Sequence, residues 1–208
     1  MPTYLDCNAT TPIEEAVADA VIHFTRDEYG NAGSRTHEFG TVAKQAVQKA
    51  RDQIRTVVDA EREEVIFTSG ATESDNLAIL GLAEEGRRAG KQHIVTTAIE
   101  HKAVLEPVQH LAAEGFEVTV LPVDRGGRVN ADHVVSAVRD DTLLVSVMHV
   151  NNETGVLQPI EDIAAGLEDR EAYFHVDAAQ SFGKEIATLQ NKRIDLISIS
   201  GHKIYGPK

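Results

Sequence analysis

Short apolar segments that alternate with helix-like segments are the feature that most constrains how this chain folds. The runs HIVTTA (93–98), FEVTVLPV (116–123), TLLVSVMHV (142–150), AYFHVD (172–177) and LISIS (196–200) are typical of buried strands. Between them, 71–90, 103–114, 130–140 and 160–169 carry apolar residues every three or four positions, as amphipathic helices do. This alternation predicts an α/β fold with a mainly parallel sheet flanked by helices.

Further elements are predicted before residue 71. Residues 13–27 and 38–60 have helical spacing, and the Gly- and Asn-containing segment 28–37 between them predicts an irregular loop. The short apolar run EVIFTS (64–69) predicts one more strand.

The charge balance and the cysteine count exclude several classes of function. The chain has 33 acidic and 20 basic residues, for a net charge of -13, which disfavours direct binding to nucleic acid. Its single cysteine, Cys7, allows no intrachain disulfide and no Cys-rich metal site, and it fits a reducing compartment. The N-terminus has no signal-peptide pattern and no apolar run is long enough for a membrane span, so the sequence predicts a soluble, cytoplasmic protein.

Compact polar clusters follow the predicted strands, and they predict a ligand site. The clusters are SGATESDN, EHK, NNETG, DAAQ and SGHK. In a parallel sheet, ligands bind beyond the carboxyl ends of the strands, where such clusters meet.

The cluster SGATE predicts an anion site. Gly70 allows a sharp turn into the next helix, and the amides of Ala71 and Thr72 would face a phosphate at the helix N-terminus. An ordinary helix capped by Thr72 is the alternative interpretation. Glu73 and Asp75 would oppose an anion unless they point away.

Three other clusters carry groups that suit a protonated aromatic ring. Asp177 ends a strand, where a carboxylate needs a cationic or hydrogen-bonding partner, and Gln180 follows it by three residues. His101 could stack on a ring or move protons, whereas Asn151 and Asn152 suit a phenolic oxygen. A capping Asp, a structural His and a polar turn are the respective alternatives.

The last cluster contains the residue that decides the chemistry. Lys203 directly follows an apolar strand and has Ser200 and His202 as neighbours. Desolvation there would lower the pKa of its ammonium group, and a neutral amine can form a Schiff base with an aldehyde. A solvated surface lysine is the alternative. Together, a lysine, a ring acid, an imidazole and a phosphate site are the groups that pyridoxal 5'-phosphate requires.

The strings YLDCNATTP, FTSGATESDNLAI, EHKAVL, LVSVMHVNNETGV, HVDAAQSFGK and SGHKIYGPK resemble the cysteine desulfurases. These are fold-type I, pyridoxal-phosphate enzymes of the class V aminotransferase group, and the similarity runs from about Tyr4 to Lys208. The resemblance implies a homodimer that converts L-cysteine to L-alanine and passes the sulfur through an enzyme persulfide to acceptor proteins.

The resemblance also implies a role for each candidate residue. Lys203 would form the Schiff base, and His101 would stack on the pyridine ring and assist proton transfer. Asp177 would pair with the ring nitrogen, with Gln180 and Asn152 around the ring oxygen and substrate. The phosphate group would be held by Ala71, Thr72, Ser200 and His202.

The resemblance further implies a division of the chain. Residues 1–15 resemble a segment that lines the substrate pocket, and 16–208 resemble the cofactor-binding large domain, incomplete at its C-terminus. In the family the persulfide cysteine lies well downstream of the lysine, so Cys7 is not assigned that role and is expected to be a half-buried small side chain. The 208-residue chain is therefore expected not to be fully active by itself.

Several alternatives stay open from the sequence. The spellings DCNATTP and GNAGSRTH resemble the branch that supplies sulfur for DNA phosphorothioate modification, whereas another branch feeds iron–sulfur clusters. A selenocysteine lyase or another class V enzyme is a second possibility. A non-catalytic subunit or remnant that binds partners is a third.

Overall fold

The computed structural model describes residues 2–208, and its elements follow the predicted alternation. The helices are α1 (Glu15–Arg26), α2 (Glu38–Val58), α3 (Ala71–Gly81), α4 (Ala83–Ala89), α5 (Lys102–Ala113), α6 (Ala131–Ala137) and α7 (Ile160–Gly166). The strands are β1 (His93–Thr97), β2 (Glu117–Leu121), β3 (Thr142–Met148), β4 (Tyr173–Asp177) and β5 (Leu196–Ser198). Short 3₁₀ turns lie at Arg62–Glu64, Ala187–Gln190 and Gly201–Lys203.

The five strands form one sheet in the order β2-β1-β3-β4-β5. Every neighbouring pair is parallel, which confirms the predicted parallel α/β sheet. All seven residues of β3 are buried, as expected for a central strand covered on both faces. The chain passes from β1 to β2 through α5 and returns from β2 to β3 through α6. Because such crossovers are right-handed, these two opposite steps place α5 and α6 on opposite faces of the sheet.

A continuous apolar core joins the sheet to α3 and α5. Ile79 on α3, Val104 on α5 and Ile94 and Leu144 on the strands are all 0% exposed and belong to one cluster. Each such side chain contributes about 1.5–3 kcal/mol through burial, so this core packs both helices against the sheet.

Two segments differ from the sequence-based expectation. Residues 64–69 pair with no described strand and form none; Ile66 is 65% and Phe67 is 50% exposed. The predicted helix over 71–90 is two helices, α3 and α4, separated at Leu82. The predicted end at Gly90 is confirmed, since Gly90 caps α4 with a φ of 69°.

The contacts divide the chain into two compact units, one with residues up to Phe67 plus Gly201–Lys208 and one with Thr68–Ser200. The second unit contains the whole sheet. In the first, Asp52 on α2 binds Arg62 through two hydrogen bonds of 2.7 and 2.6 Å. No residue of α1 is buried. Among the residues described, no helix is long and apolar enough to cross a bilayer.

Candidate active site

A glycine turn begins α3 at the edge of the candidate site. Gly70 is the N-cap, with φ 155° and ψ -178°, a conformation that is essentially restricted to glycine. The Gly70 carbonyl accepts hydrogen bonds from Thr68 Oγ1 at 3.0 Å and from Ser74 N at 3.1 Å. These contacts fix the turn.

The first amides of α3 remain available for an anion. Within residues 2–208, the amides of Ala71 and Thr72 donate to no protein acceptor. Thr72 is the second helical residue and so does not cap the helix, contrary to the alternative interpretation. The Glu73 carboxylate accepts from the Ser69 amide, one residue before the N-cap, so this acid lies beside the helix N-terminus. Asp75 is buried, at 1% exposure.

Substitution of Gly70 tests this turn directly. We expect Gly70→Ala to lower the free energy of unfolding by about 1–3 kcal/mol, because alanine rarely adopts this backbone conformation. A steric clash is excluded, since a Cβ at this position meets no atom within 4 Å. The matched control is Gly81→Ala in the same helix, where the nearest atom to the Cβ is Leu77 Cδ1 at 3.9 Å. That change should be neutral or stabilise by up to about 1 kcal/mol. Equal urea denaturation curves for the two variants would contradict the conclusion that the turn at Gly70 requires glycine.

His101 lies at the point where the strand order reverses. The residue follows β1, whose neighbours are β2 on one side and β3 on the other, and ligands bind at such switch points. His101 is the N-cap of α5, and its Nδ1 accepts from the Ala103 amide at 3.1 Å. The neutral ring therefore carries its proton on Nε2, and this exposed side chain keeps its ring faces available for a ligand.

The two asparagines after β3 have different roles. Asn151 is buried, and its Oδ1 accepts from the amides of Glu153 and Thr154 at 3.0 and 2.9 Å. Its Nδ2 donates to the Ile99 carbonyl at 3.0 Å. Asn151 is therefore a turn-forming residue, which agrees with the alternative interpretation of a polar turn. Asn152, which is half-buried and donates to Glu153 Oε1 at 2.8 Å, remains the candidate for a ligand.

Asp177 places a buried carboxylate at the carboxyl end of β4. The residue is 5% exposed, and its Oδ1 accepts from the Ala179 amide at 2.9 Å. Gln180, which is 8% exposed, lies one turn further along the chain. In register, Asp177 lies between Met148 at the end of β3 and Ser198 at the end of β5. Ser200, also buried, follows β5, so the sheet brings these candidates to one edge.

Buried polar side chains surround His175, which precedes Asp177 on β4. His175 lies two residues earlier on the same face of β4, and its ring nitrogens bind Ser146 Oγ and Ser198 Oγ, both at 2.9 Å. Asp75 Oδ1 lies 3.5 Å from His175 Nε2. Burial lowers the pKa of His175 to about 4, so the imidazole is neutral at physiological pH.

His202 and Lys203 belong to the other unit, where the N-terminal segment binds their loop. The His202 carbonyl accepts from Thr11 N and Thr11 Oγ1, both at 2.9 Å, and His202 Nδ1 lies 3.1 Å from Thr10 Oγ1. Burial, aided by the charges of Lys203 and Lys208, lowers the pKa of His202. Lys203 ends the 3₁₀ turn and is half-buried.

Tyr205, two residues after the 3₁₀ turn that contains Lys203, has a strained backbone. Tyr205 has a φ of 65°, which is uncommon for a side chain of this size. Thr11 Oγ1 accepts from the Tyr205 amide at 2.8 Å, and the Tyr205 carbonyl accepts from the Glu14 amide at 2.9 Å. These bonds hold the loop in a conformation that its sequence alone would not favour.

The match to known families covers nearly all of these positions. Residues 3–208 match the family model described as aminotransferase class-V. The chain belongs to the aminotransferase class-V family. This finding confirms the group that the quoted strings predicted.

Curated relatives of this class-V chain are named cysteine desulfurases. The human cysteine desulfurase is 49% identical over 207 residues, which cover 100% of this chain and 45% of the human protein. The cysteine desulfurase IscS of Vibrio vulnificus is 50% identical over 210 residues, 52% of its length. The class-V chain thus spans about half the length of the curated relatives it matches.

Solved structures in the same family share the fold. The crystal structure of DndA from Streptomyces lividans has a TM-score of 0.89 and 56% identity, over 99% of this chain and 57% of that one. A structure of SspA in complex with cysteine has a TM-score of 0.94 and 40% identity, over 100% of this chain and 59% of that one. The α/β fold with a parallel sheet is therefore that of the class-V family.

Some features of the class-V chain were not anticipated from its sequence. Cys7 is exposed, so its prediction as a half-buried side chain was wrong, because no described element covers the N-terminal loop at that position. Glu100 and Thr11, both buried, were not identified as site residues. The only available signals were the adjacent candidate His101 for Glu100 and, for Thr11, the string TTP in which it lies. No cluster of three or more metal-ligating side chains occurs among the described residues.

Proposed function

We propose that the protein carrying this chain is a pyridoxal 5'-phosphate-dependent cysteine desulfurase. In the proposed reaction, L-cysteine and an acceptor thiol give L-alanine and a persulfide. The carbon–sulfur bond of cysteine breaks, its sulfur forms a sulfur–sulfur bond with the acceptor, and the β-carbon takes up a proton. The observation that carries the proposal is the buried carboxylate of Asp177 at the end of β4, in a chain whose entire length matches cysteine desulfurases.

The residues present fit this cofactor. The amides of Ala71 and Thr72 offer an anion site for its phosphate, helped by the positive end of the α3 dipole. Asp177 offers a negative charge to a protonated ring nitrogen, and its low exposure strengthens that attraction. When bound, the cofactor supplies an electron-withdrawing ring that stabilises negative charge at the substrate α-carbon.

Two side chains are proposed to move protons or hold the cofactor. Lys203 would hold the cofactor covalently through its ε-amino group and afterwards act as a base. His101 would cover one face of the ring, with Nε2 placed to give a proton to the leaving sulfur. The cap between His101 Nδ1 and the Ala103 amide supports this assignment, because it fixes the tautomer that carries a proton on Nε2.

The remaining candidates are proposed to orient the cofactor and the substrate. Gln180 and Asn152 offer neutral hydrogen bonds to the ring oxygen and the substrate, and Ser200 and His202 offer hydrogen-bond donors to the phosphate. Residues 1–15 are proposed to line the substrate pocket. The bonds from Thr11 to the lysine loop support that last assignment, because they tie the N-terminal segment to the residues next to Lys203.

Partners and location follow from the same proposal. We propose a homodimer, supported by exposed apolar side chains on α1 and around α2: Ile22 at 50%, Phe24 at 44%, Tyr29 at 69% and Phe39 at 53% exposure. A monomer at micromolar concentration in sedimentation velocity would contradict this. Sulfur-acceptor proteins, rather than nucleic acid, are the proposed partners, and the single cysteine supports a cytoplasmic, reducing location.

The narrower proposal is the branch that supplies sulfur for DNA phosphorothioation. The 56% identity to DndA over 99% of the chain supports it, together with the strings DCNATTP and GNAGSRTH. Complementation would decide between branches, because a desulfurase of the iron–sulfur branch should restore cluster enzymes in a desulfurase-deficient host. Such restoration would contradict the narrower proposal and leave the general one intact.

Product analysis tests the general proposal. The whole protein that carries this chain, supplied with pyridoxal 5'-phosphate, L-cysteine and a dithiol, should form alanine and sulfide in equal amounts. L-selenocysteine and L-aspartate serve as competing substrates in the same assay. Alanine from selenocysteine but not from cysteine would favour the lyase alternative, and no alanine from either would contradict the proposal.

A further inference from the structure

Glu100 is a buried carboxyl group to which the proposed chemistry assigns no role. It follows β1, directly precedes His101 and is 6% exposed. Its Oε1 accepts from Thr97 Oγ1 at 2.7 Å and from the Met148 amide at 2.9 Å. Its Oε2 is buried and has no hydrogen-bond partner among residues 2–208. A carboxylate would leave a charged oxygen unsatisfied there, which is costly.

The electrostatic surroundings of Glu100 favour its neutral form. Burial raises the pKa of this carboxyl group to about 8, although the hydrogen bonds from Thr97 and Met148 act in the opposite direction. The charged groups that act on it are Asp177, at the end of β4, and Asp75 on α3, and both also raise the pKa. A neutral Glu100 satisfies the two donors through Oε1 and adds no negative charge beside Asp177.

The hydrogen bonds of Glu100 cross the switch point of the sheet. Thr97 ends β1 and Met148 ends β3, so one oxygen joins the carboxyl ends of two strands. The bond from Asn151 Nδ2 to the Ile99 carbonyl makes a second tie between the same two loops. The backbone from Ile99 to His101 is therefore held from the β3 side at two consecutive residues.

We propose that Glu100 is a positioning residue that, as a neutral acid, clamps the β1–α5 loop to the end of β3 and so fixes the imidazole of His101. The importance of His101 for a cofactor rests on the proposed function, whereas the clamp itself does not. A neutral carboxyl group is required because only that form places its acceptor between two donors without a second buried charge next to Asp177.

The protonation state is tested by the pH dependence of stability. In the unfolded chain Glu100 ionises near its ordinary pKa of 4.5, whereas in the folded chain it keeps its proton up to about 8. Between these values the folded state binds one more proton, so stability falls as the pH rises. From this group the unfolding equilibrium constant should rise by up to about tenfold per pH unit.

Matched glutamine variants isolate this contribution. Glu100→Gln keeps an accepting oxygen and cannot ionise, so its unfolding constant, followed by urea denaturation from pH 5.5 to 8.5, should lack this rise. Glu106→Gln, an exposed glutamate on α5, should follow the wild type at every pH. Parallel profiles for wild type and Glu100→Gln would overturn the proposal.

The positioning role is tested by the NMR signals of the imidazole. The ¹⁵N signals of His101, assigned with a His101→Gln variant, should shift or broaden in Glu100→Ala and return to their wild-type positions in Glu100→Gln. Unchanged signals in Glu100→Ala would overturn the positioning role. If Glu100→Ala does not fold, the comparison of Glu100→Gln with wild type decides, and different His101 signals in these two would overturn the role.

Both measurements are made without cofactor or substrate, so a result that contradicts the clamp can be distinguished from one that contradicts the proposed function. A positive result for the clamp with no cofactor binding would contradict the proposed function alone. Cofactor binding with parallel pH profiles would contradict the clamp alone.

Discussion

Lys203→Ala is expected to abolish the coloured, borohydride-sensitive binding of pyridoxal 5'-phosphate and to lower the turnover of L-cysteine by at least about a thousandfold. The physical reason is that no other group at this position can hold the cofactor's aldehyde covalently and then serve as a base. Lys203 is half-buried at the end of a 3₁₀ turn, so its truncation removes little packing.

The control for this variant is Lys208→Ala, in the same carboxyl-terminal segment. Lys208 is exposed, and its replacement should leave both the absorbance band and the turnover unchanged. Visible absorbance and alanine formation measure the two effects. A band that survives in Lys203→Ala would contradict the role assigned to the lysine.

Asp177→Asn should lower kcat for L-cysteine by about 10²–10³, with a smaller effect on the free energy of unfolding. Asparagine has the same shape, and its oxygen can still accept the Ala179 amide that Asp177 Oδ1 accepts at 2.9 Å. It cannot supply the negative charge that a protonated ring nitrogen requires, so the loss should appear in catalysis rather than in folding.

A second aspartate provides the comparison. Asp195 Oδ2 accepts from the Phe174 amide at 2.7 Å beside the first residues of β4, away from the carboxyl ends of the strands. Asp195→Asn should therefore leave kcat within about twofold of wild type, because surface charges contribute little. Equal kcat values for Asp177→Asn and wild type would contradict the pairing with the ring.

The fold was largely predictable because its signals are local. Continuous apolar runs gave all five strands, and the residues between them gave the helices, including the end of α4 at Gly90. The run at 64–69 has the same local character, yet Ile66 and Phe67 are exposed and no described strand pairs with them. Strand formation depends on a neighbour, and the local sequence carries no information about that neighbour.

The sequence predicted candidate residues near the strand ends: Asp177 ends β4, and His101 and Asn152 lie four residues after β1 and β3. Their roles in a cofactor site stay predictions. Glu100 was missed because a charged residue before a helix resembles an ordinary solvated loop residue. One of its two hydrogen-bond donors, the Met148 amide, lies 48 residues further along the chain and gives no local signal. The bond between Thr11 and the His202 carbonyl spans 191 residues and left no pattern in the sequence.

The identity of the lysine that holds the cofactor tests the proposed function most directly. The protein is incubated with pyridoxal 5'-phosphate, reduced with borohydride, digested and analysed by mass spectrometry. The added mass of the reduced cofactor is expected on Lys203. A modified Lys102 or Lys184 with an unmodified Lys203, or no stoichiometric modification at all, would contradict it.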